Sequence, residues 1–309
     1  MKLGFSLPHL MELKALTQPW ELEVTGLQQT ELIKWAEGLG YEMVMVPEHH
    51  VIPDEHVDLS GGFYFNALIG MAHLAGATEK MRVNSCIQLL PLQNPIVVAK
   101  ALSTMDWLSG GRVTINFGVG WLKEEFDILG VDFHKRGAIS EEYVRAMIEL
   151  WTSDKPEFEG EYVSFKDIAF APKPVQEGGI PIWFGGDADA ALKRAGRYGS
   201  GWMPFLTPPD KIAERLDFVR SQPDYGGKLN DVSYSLSTGA IGEGHVVIED
   251  NELAKGGKSK QQTIDELGWL ASLGVTWSGV SSPPLTSLQG WKDHVQYVAE
   301  EIRPAVKDL

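Results

Sequence analysis

Short apolar runs alternate with longer amphipathic stretches along most of the chain. Eight of these runs are typical of buried strands: KLGFSL, YEMVMV, MRVNSCIQLL, RVTINFGVG, IPIWFGG, GWMPFL, VSYSLSTGAIG and VTWSGVSS. The stretches between them repeat apolar residues at helical spacing, and the one from 25 to 40 places Leu32, Trp35 and Leu39 near one face. The pattern therefore predicts eight strand–helix units.

Strands that alternate with helices predict a parallel sheet covered by helices, which is an α/β fold. Eight such units in 309 residues favour a single (β/α)8 barrel that spans residues 1–309, with loop insertions at its C-terminal face. One insertion is a hairpin around the EG of EFEGEYVSFKDIAF. An open doubly wound sheet is the alternative, but it needs a glycine-rich phosphate turn after the first strand, and FSLPHLMELK contains none.

The segment VPEHHVIPDEH follows the second predicted strand without a polar break. Active sites of (β/α)8 barrels lie at the carboxyl ends of the strands, so Glu48, His49, His50 and His56 should lie at the mouth. A histidine beside a carboxylate can hold or transfer a proton near neutral pH, and we assign this role to His49 and Glu48. The alternative is that these are solvated loop residues. A metal site is disfavoured, because adjacent strand residues point to opposite faces and no HxH, HExxH or CxxC is present.

Two strand-to-helix junctions are rich in glycine, in NFGVGWLKEEF and in WFGGDADAALKRAG. Glycines there let backbone N–H groups approach a phosphate, helped by the helix N-terminus. Ordinary turn formation is the alternative explanation. Two such turns on the same rim favour an anionic cofactor.

Composition narrows the choice of partners and compartment. A net charge of −15 and a pI near 5.0 argue against binding to nucleic acid or to an anionic membrane. No apolar run approaches the ~18 residues that a membrane span requires, and MKLGFSLPHL lacks the features of a signal peptide. The single cysteine, Cys86, fits a reducing compartment. We therefore expect a cytoplasmic protein with a small-molecule substrate.

The run LPLQNPIVVAKALSTMDWLSGGRVTINFGVGWLKEEFDILGVDFHKRG strongly resembles the bacterial luciferase-like flavin and deazaflavin oxidoreductases. PKPVQEGGIPIWFGG and ALKRAGRYGSGWMP are similar to later segments of that superfamily, so the resemblance covers most of residues 1–204. In the family an acidic residue followed by histidine ends the second strand, as Glu48 and His49 do here. VPEHHVIP, with GW after GVG, is most similar to the subfamily that uses the deazaflavin F420, while EHH also resembles FMN monooxygenases.

The resemblance implies a (β/α)8 barrel that binds a flavin-type ring at its mouth and transfers a hydride between F420 and a small organic substrate. An FMNH2-dependent monooxygenase and a ligand-binding barrel without catalysis are the alternatives. His49 is then the proton donor or acceptor and Glu48 the residue that orients or tunes it, with no metal. The family pattern places a cis peptide bond at Cys86–Ile87 or at Ser85–Cys86. A homodimer is also expected.

The same resemblance assigns a set of cofactor-binding residues at the strand ends. They are His50, Ser85, Cys86, Ile87, Asn116, Gly118, Val119, Gly120, Trp121, Gly185, Gly186 and Asp187. Many family members read GGNS where this chain reads GGDA. A carboxylate beside a phosphate is electrostatically unfavourable, so Asp187 is interpreted as a helix N-cap.

Overall fold

Parallel strands form the centre of the structure, as the alternating pattern predicts. The computed structural model describes residues 1–14, 16–235 and 258–309, and the backbone of 240–242 and 245–247. The strands are β1 Lys2–Phe5, β2 Met43–Val46, β3 Arg82–Ser85, β4 Gln88–Leu89, β5 Ile115–Gly118, β6 Ile182–Gly185, β7 Gly201–Met203, β8 Asp231–Val232, β9 Ala240–Gly242, β10 His245–Val247 and β11 Trp277–Ser278.

The central strands form two parallel arcs, in the orders β11-β1-β2-β3 and β4-β5-β6-β7-β8. Single parallel bridges join the arcs at both seams, between Val83 and Val113 and between Ser233 and Trp277. Because β4 continues β3 after a two-residue interruption, the order around the ring is that of eight barrel strands. The predicted α/β barrel class is confirmed, although the ladder is reduced to single bridges at the seams.

Helices connect the strands and cover their outer face. They are α1 Gly26–Gly38, α2 Asp54–Ser60, α3 Ala67–Ala77, α4 Pro95–Ser109, α5 Lys123–Ile128, α6 Arg136–Thr152, α7 Asp189–Tyr198, α8 Ile212–Arg220, α9 Lys260–Ser272, α10 Leu288–Tyr297 and α11 Arg303–Val306. No helix among the described residues combines the length and the apolar character needed to cross a bilayer.

Local sequence explains where the helices begin and end, and α4 is the clearest case. The side chain of Asn94 accepts from the N–H groups of Ile96 and Val97, and Pro95 occupies the first turn, where its missing N–H costs nothing. Gly110 ends the helix in the left-handed conformation (φ 69°). These signals place the loop before α4, with Gln93, beside the end of β2.

The interior of the ring is filled by large side chains from strands that do not pair with one another. Met43 on β2, Trp183 on β6 and Trp277 on β11 form a buried cluster of their own, and the two indole rings lie 5.9 Å apart. Side chains on such separated strands meet only across the interior. Met43 and Trp277 are the first residues of their strands, so this cluster lies towards the amino ends of the strands.

Two predicted segments differ in extent from the sequence pattern. The predicted hairpin around EG is a single antiparallel bridge between Phe158 and Phe165, held by Glu142, whose carboxylate accepts from the backbone N–H groups of 161–163. The strand predicted over 232–242 is present as β8, while 236–239 lie outside the described residues. β9 and β10 pair as an antiparallel hairpin.

Candidate active site

His49 lies just beyond the end of β2, and only 11% of its side chain is exposed. Its Nδ1 is 2.9 Å from Oε2 of Glu125, on α5. The rings of Tyr64 and Trp121 meet the imidazole nearly edge-on, with centroids 4.8 and 6.1 Å away. Among the described residues no hydrogen-bond partner lies near Nε2, so this nitrogen is the one available to a ligand.

Glu48 is not the carboxylate that contacts His49. It is buried and accepts four hydrogen bonds from N–H groups outside the EHH segment: the backbone of Ala67 (3.1 Å) and Leu89 (3.1 Å) and the amides of Gln88 (2.7 Å) and Gln93 (3.3 Å). Burial raises the pKa of Glu48, and the charge of His50 with the backbone donors opposes that rise. The expected tuning of His49 by Glu48 is therefore wrong as a direct contact; Glu48 joins β2 to β4 and α3.

Glu125, rather than Glu48, is the carboxylate that contacts the imidazole of His49. While Oε2 faces His49, Oε1 accepts from the backbone N–H of His50 (2.6 Å) and Val51 (3.3 Å). Burial alone raises the pKa of Glu125, but the hydrogen bond and charge of His49 and the two backbone donors outweigh it, so the pKa is lowered. Glu125 is therefore an ionised, buried counter-charge for His49.

His50 and His56 have surroundings different from that of His49. The ring of His50 turns towards Glu48 (Nε2–Oε2 3.8 Å) and receives the Gln93 amide at 3.2 Å. The side chains of His49 and His50 thus diverge, as strand alternation predicts. His56 stands edge-on to Trp121, 6.0 Å away, and its Nε2 is 3.7 Å from Glu124.

His56 also brings three possible metal ligands together. Ligand atoms of Glu55, His56 and Glu124 lie within 4.8 Å of one another. Glu55 is 69% exposed and Glu124 is 43% exposed. Exposed acidic side chains commonly cluster in this way without an ion, so we assign no metal to them.

The peptide bond between Cys86 and Ile87 is cis, which confirms the family-based prediction. Ser85 is buried and bonds both backbone groups of Asn116, donating to the carbonyl (2.8 Å) and accepting from the N–H (3.1 Å). Its hydroxyl therefore replaces the missing ladder between β3 and β5. Burial raises the pKa of the Cys86 thiol to about 11, which does not favour a nucleophilic thiolate at neutral pH.

Among the described residues, two buried side-chain oxygens on β4 and β5 have no hydrogen-bond partner: Oε1 of Gln88 and Oδ1 of Asn116. The amide nitrogen of Asn116 contacts Sδ of Met203 at 3.0 Å, and the same sulfur lies 4.0 Å from Sγ of Cys86. Unpaired buried acceptors are rare in native proteins and need an explanation. A buried water or a bound ligand with N–H donors would satisfy them.

The first glycine turn, Gly118–Trp121, has two separate reasons for glycine. A Cβ on Gly118 would meet Cδ1 of Ile87 at 1.7 Å, so this glycine makes room for Ile87. Gly120 has φ +80°, which side chains disfavour, and its carbonyl accepts from Nε of Arg136 at 3.2 Å. Val119 lies between them. Arg136 brings a positive charge to a turn whose own sequence has none.

The second turn, Gly185–Asp187, is hydrogen-bonded to the loop after β7 through the side chain of Asp187. Gly185 also faces Ile87, and Gly186 has φ +115°. Asp187 accepts from the N–H groups of 205–207 at 2.9–3.0 Å and from the Thr207 hydroxyl at 2.6 Å. The N-cap interpretation of Asp187 is therefore wrong: Ala188 is the N-cap of α7, and no side chain caps it.

Sequence reasoning missed the residues that complete this site. Glu125 is part of KEEF, one helical turn beyond GVGW, and an acid just after a strand end is the signal that could have indicated it. Arg136 in FHKRG begins the next long helix, and a base at a helix N-terminus is a corresponding signal for an anion. Gln88 carried no signal beyond its position in the third predicted strand, and Tyr64, between α2 and α3, carried none.

Comparison with known proteins agrees with this arrangement. Residues 11–241 match the luciferase-like monooxygenase family. The uncharacterized protein Rv0940c of Mycobacterium tuberculosis is 31% identical over 211 residues, 64% of this chain and 72% of that protein. The FMNH2-dependent dimethylsulfone monooxygenase of Pseudomonas putida is 33% identical over 157 residues, 50% of this chain and 43% of that one.

Among solved structures, an F420-dependent secondary alcohol dehydrogenase in complex with an F420–acetone adduct has the same fold. Its TM-score is 0.73 at 21% identity, and the match covers 99% of this chain and 98% of that one. The family match extends over most of the chain, and it includes the EHH segment, both glycine turns, Glu125 and Arg136. The protein therefore belongs to the luciferase-like monooxygenase family, a family of oxidoreductases.

Proposed function

We propose that the protein is an oxidoreductase that binds a flavin-type ring, F420 or FMN, at the mouth and acts on a small organic substrate. The observation that carries this proposal is the position of His49. Its Nε2 is available at the strand ends while its Nδ1 is held by a buried carboxylate, and unpaired buried acceptors lie at the neighbouring strand ends. A histidine in this state can donate or accept a proton at the substrate.

The residues present fit such a cofactor. Oδ1 of Asn116 and Oε1 of Gln88 would accept from the N–H groups of the ring, and Trp121 would lie at its edge. The cofactor phosphate would lie near Gly120, where Arg136 supplies a cation that the turn itself lacks. Asp187 is occupied by the loop after β7, so Gly185–Asp187 is less suited to a phosphate than the sequence analysis expected. When bound, the ring supplies hydride transfer or oxygen activation.

The protein's own groups then have distinct tasks. His49 holds or moves a proton at Nε2. Tyr64 and Trp121 restrict the plane of its ring. Ile87 fills the space over Gly118 and Gly185, which sets how deeply a planar ring can enter the barrel.

Two cofactors remain candidates, and different observations favour each. F420 is favoured by the VPEHHVIP segment and the GW after GVG, which are most similar to the F420-dependent subfamily. FMN is favoured by the relative of highest identity among those described above, which is FMNH2-dependent. Hydride transfer with F420 is our first choice, and an FMNH2-dependent monooxygenase reaction is the second.

The test is titration of the purified protein with F420, FMN and riboflavin, followed by ring absorbance and fluorescence. We expect saturable binding of one phosphate-bearing cofactor, and weaker binding of that cofactor to Arg136→Ala. Riboflavin, which lacks the phosphate, should bind with equal affinity to the wild type and to Arg136→Ala. Arg145→Ala is the matched control, because Arg145 is an exposed arginine on the same helix. Failure to bind either F420 or FMN would contradict the proposal and leave a barrel without this cofactor.

A further inference from the structure

The buried carboxylate of Glu125 contacts three groups of residues 49–51 at once. It lies in the first turn of α5 and is 76 positions from His49 in sequence, with only 1% of its side chain exposed. One oxygen meets Nδ1 of His49, and the other accepts from the N–H groups of His50 and Val51. Both the imidazole and the backbone that carries it are thus fixed by a single side chain.

This contact decides which ring nitrogen carries hydrogen. An ionised carboxylate only accepts hydrogen bonds, so Nδ1 of His49 must be the donor. A neutral imidazole has one N–H, and therefore Nε2 presents its lone pair to the mouth. When the ring takes up a second proton, Nε2 becomes a donor and Glu125 remains beside the positive charge.

A purely stabilising role explains this arrangement less well. Buried ion pairs are weak contributors to stability, because removing both charges from water offsets much of their attraction. The two backbone N–H groups could be satisfied equally by a glutamine oxygen. Only the contact with Nδ1 requires a group that cannot donate.

We propose that Glu125 is the positioning residue of the site: it holds His49 in the tautomer with Nδ1–H and leaves Nε2 to act on the substrate. This inference deepens the proposed function and rests on it. Glu125 reaches the substrate only through His49, so its effect must disappear when the imidazole is absent. That dependence separates positioning from a general effect on folding.

The neighbouring Glu124 provides a matched control on the same helix. Its side chain is 43% exposed and faces His56 rather than His49. Glu124→Gln removes the same charge one residue away and keeps the length of the side chain. Glu125→Asp keeps the charge and shortens the side chain by one methylene group.

The first measurement is the side-chain ¹⁵N spectrum of the histidines at a pH where His49 is neutral. The chain has eight histidines, so the signal lost in His49→Ala identifies the ring. We expect a protonated Nδ1 and an unprotonated Nε2 in the wild type, in Glu124→Gln and in Glu125→Asp. In Glu125→Gln the ring proton should move from Nδ1 to Nε2, because the amide group of the glutamine would donate to Nδ1. A wild-type ring with Nε2–H would overturn the inference.

The second measurement is turnover with the cofactor that the titration identifies. Glu125→Gln should lower kcat on the order of 10–100-fold, by analogy with loss of the hydrogen-bond partner behind a metal-bound histidine, while Glu124→Gln stays near wild type. In the His49→Ala background, Glu125→Gln should have no further effect on kcat. Equal turnover of the two glutamine variants, or an additive loss in the double variant, would overturn the inference.

The two proposals fail in different ways. If neither cofactor binds and no turnover is found, the proposed function fails, and the tautomer measurement alone decides the role of Glu125. If turnover is found but Glu125→Gln matches the wild type in both measurements, the proposed function stands and this inference fails. Thermal melts of each variant show whether a loss of turnover comes from unfolding.

Discussion

Glu48 and Glu125 are both buried at the mouth, yet the structure uses them in different ways. The oxygens of Glu48 are bonded by backbone and amide N–H groups that join β2 to its neighbours. Glu125 accepts from two backbone N–H groups as well, but its second oxygen meets an imidazole. Burial raises the pKa of Glu48, while His49 and the backbone donors overcome burial and lower the pKa of Glu125. The side chain of Glu48, the neighbour of His49 in sequence, thus makes no hydrogen bond to the imidazole. Glu125, 76 positions away, does.

Removal of the His49 imidazole should have the largest effect on turnover. His49→Ala should reduce turnover by roughly 10²–10⁴, because the group that moves the proton is lost. The free energy of unfolding should fall by only about 1–3 kcal/mol, because Glu125 loses the imidazole and keeps its two backbone donors. Steady-state rates and thermal melts check this prediction.

The other histidines provide the controls for that experiment. His50→Ala should have a milder effect and His56→Ala a milder one still, because their rings face Glu48 and Glu124. Full activity in His49→Ala, or its unfolding, would refute the assigned role.

Truncation of Glu48 should mainly affect stability. Glu48→Ala leaves the N–H groups of Ala67 and Leu89 and two amides without their acceptor in a buried site. We expect the free energy of unfolding to fall by about 3 kcal/mol, since each unsatisfied buried donor costs ~1–3 kcal/mol. Denaturant unfolding measures this loss. Glu55→Ala, which removes an exposed acid nearby, should change it by less than about 0.5 kcal/mol; a comparable loss in the two variants would contradict the prediction.

The opposite pKa directions predict opposite responses to pH. The lowered pKa of Glu125 gives stabilisation that is complete above its ordinary value of 4.5 and is lost as the pH falls through the folded value. The raised pKa of Glu48 gives a contribution that is most favourable below 4.5 and declines as the pH rises through the folded value. Each unit of difference between folded and unfolded pKa corresponds to about 1.4 kcal/mol.

The measurement is the free energy of unfolding at several pH values for the wild type, Glu125→Gln and Glu48→Gln. As the pH falls below 4.5, the advantage of the wild type over Glu125→Gln should shrink. Relative to Glu48→Gln, the wild type should gain stability at higher pH, as the pH falls from 7 towards 4.5. Parallel curves for the two variants would show that the carboxylates are not distinguished in this way.

Asp187 is a third carboxylate at the mouth and should give the smallest effect. Its oxygens serve only the loop after β7, so Asp187→Ala should lower the free energy of unfolding by about 1–2 kcal/mol. The exposed Asp217→Ala on α8 is the control. A loss of cofactor binding without a loss of stability in Asp187→Ala would instead indicate that this turn holds the phosphate.

The sequence by itself determined the fold and the position of the EHH segment just after β2. Strand and helix periodicity, the Asn94–Pro95 start and the Gly110 end are local signals, and they are reproduced in the structure because short-range sterics and hydrogen bonds set them. The rule that active sites follow the strand ends placed His49 at the mouth. The family pattern located the cis bond at Cys86–Ile87.

Only the tertiary structure decided which partner each of these residues has. Glu48 and His49 are neighbours in sequence but point apart, because alternation at the end of a strand sends adjacent side chains to opposite sides. The glycines at 118 and 185 look like phosphate turns in sequence, yet both accommodate Ile87 from the interruption between β3 and β4. Pairings such as Glu125 with His49 and Arg136 with Gly120 arise when the ring of strands brings separate turns to one rim, and no local pattern encodes that distance.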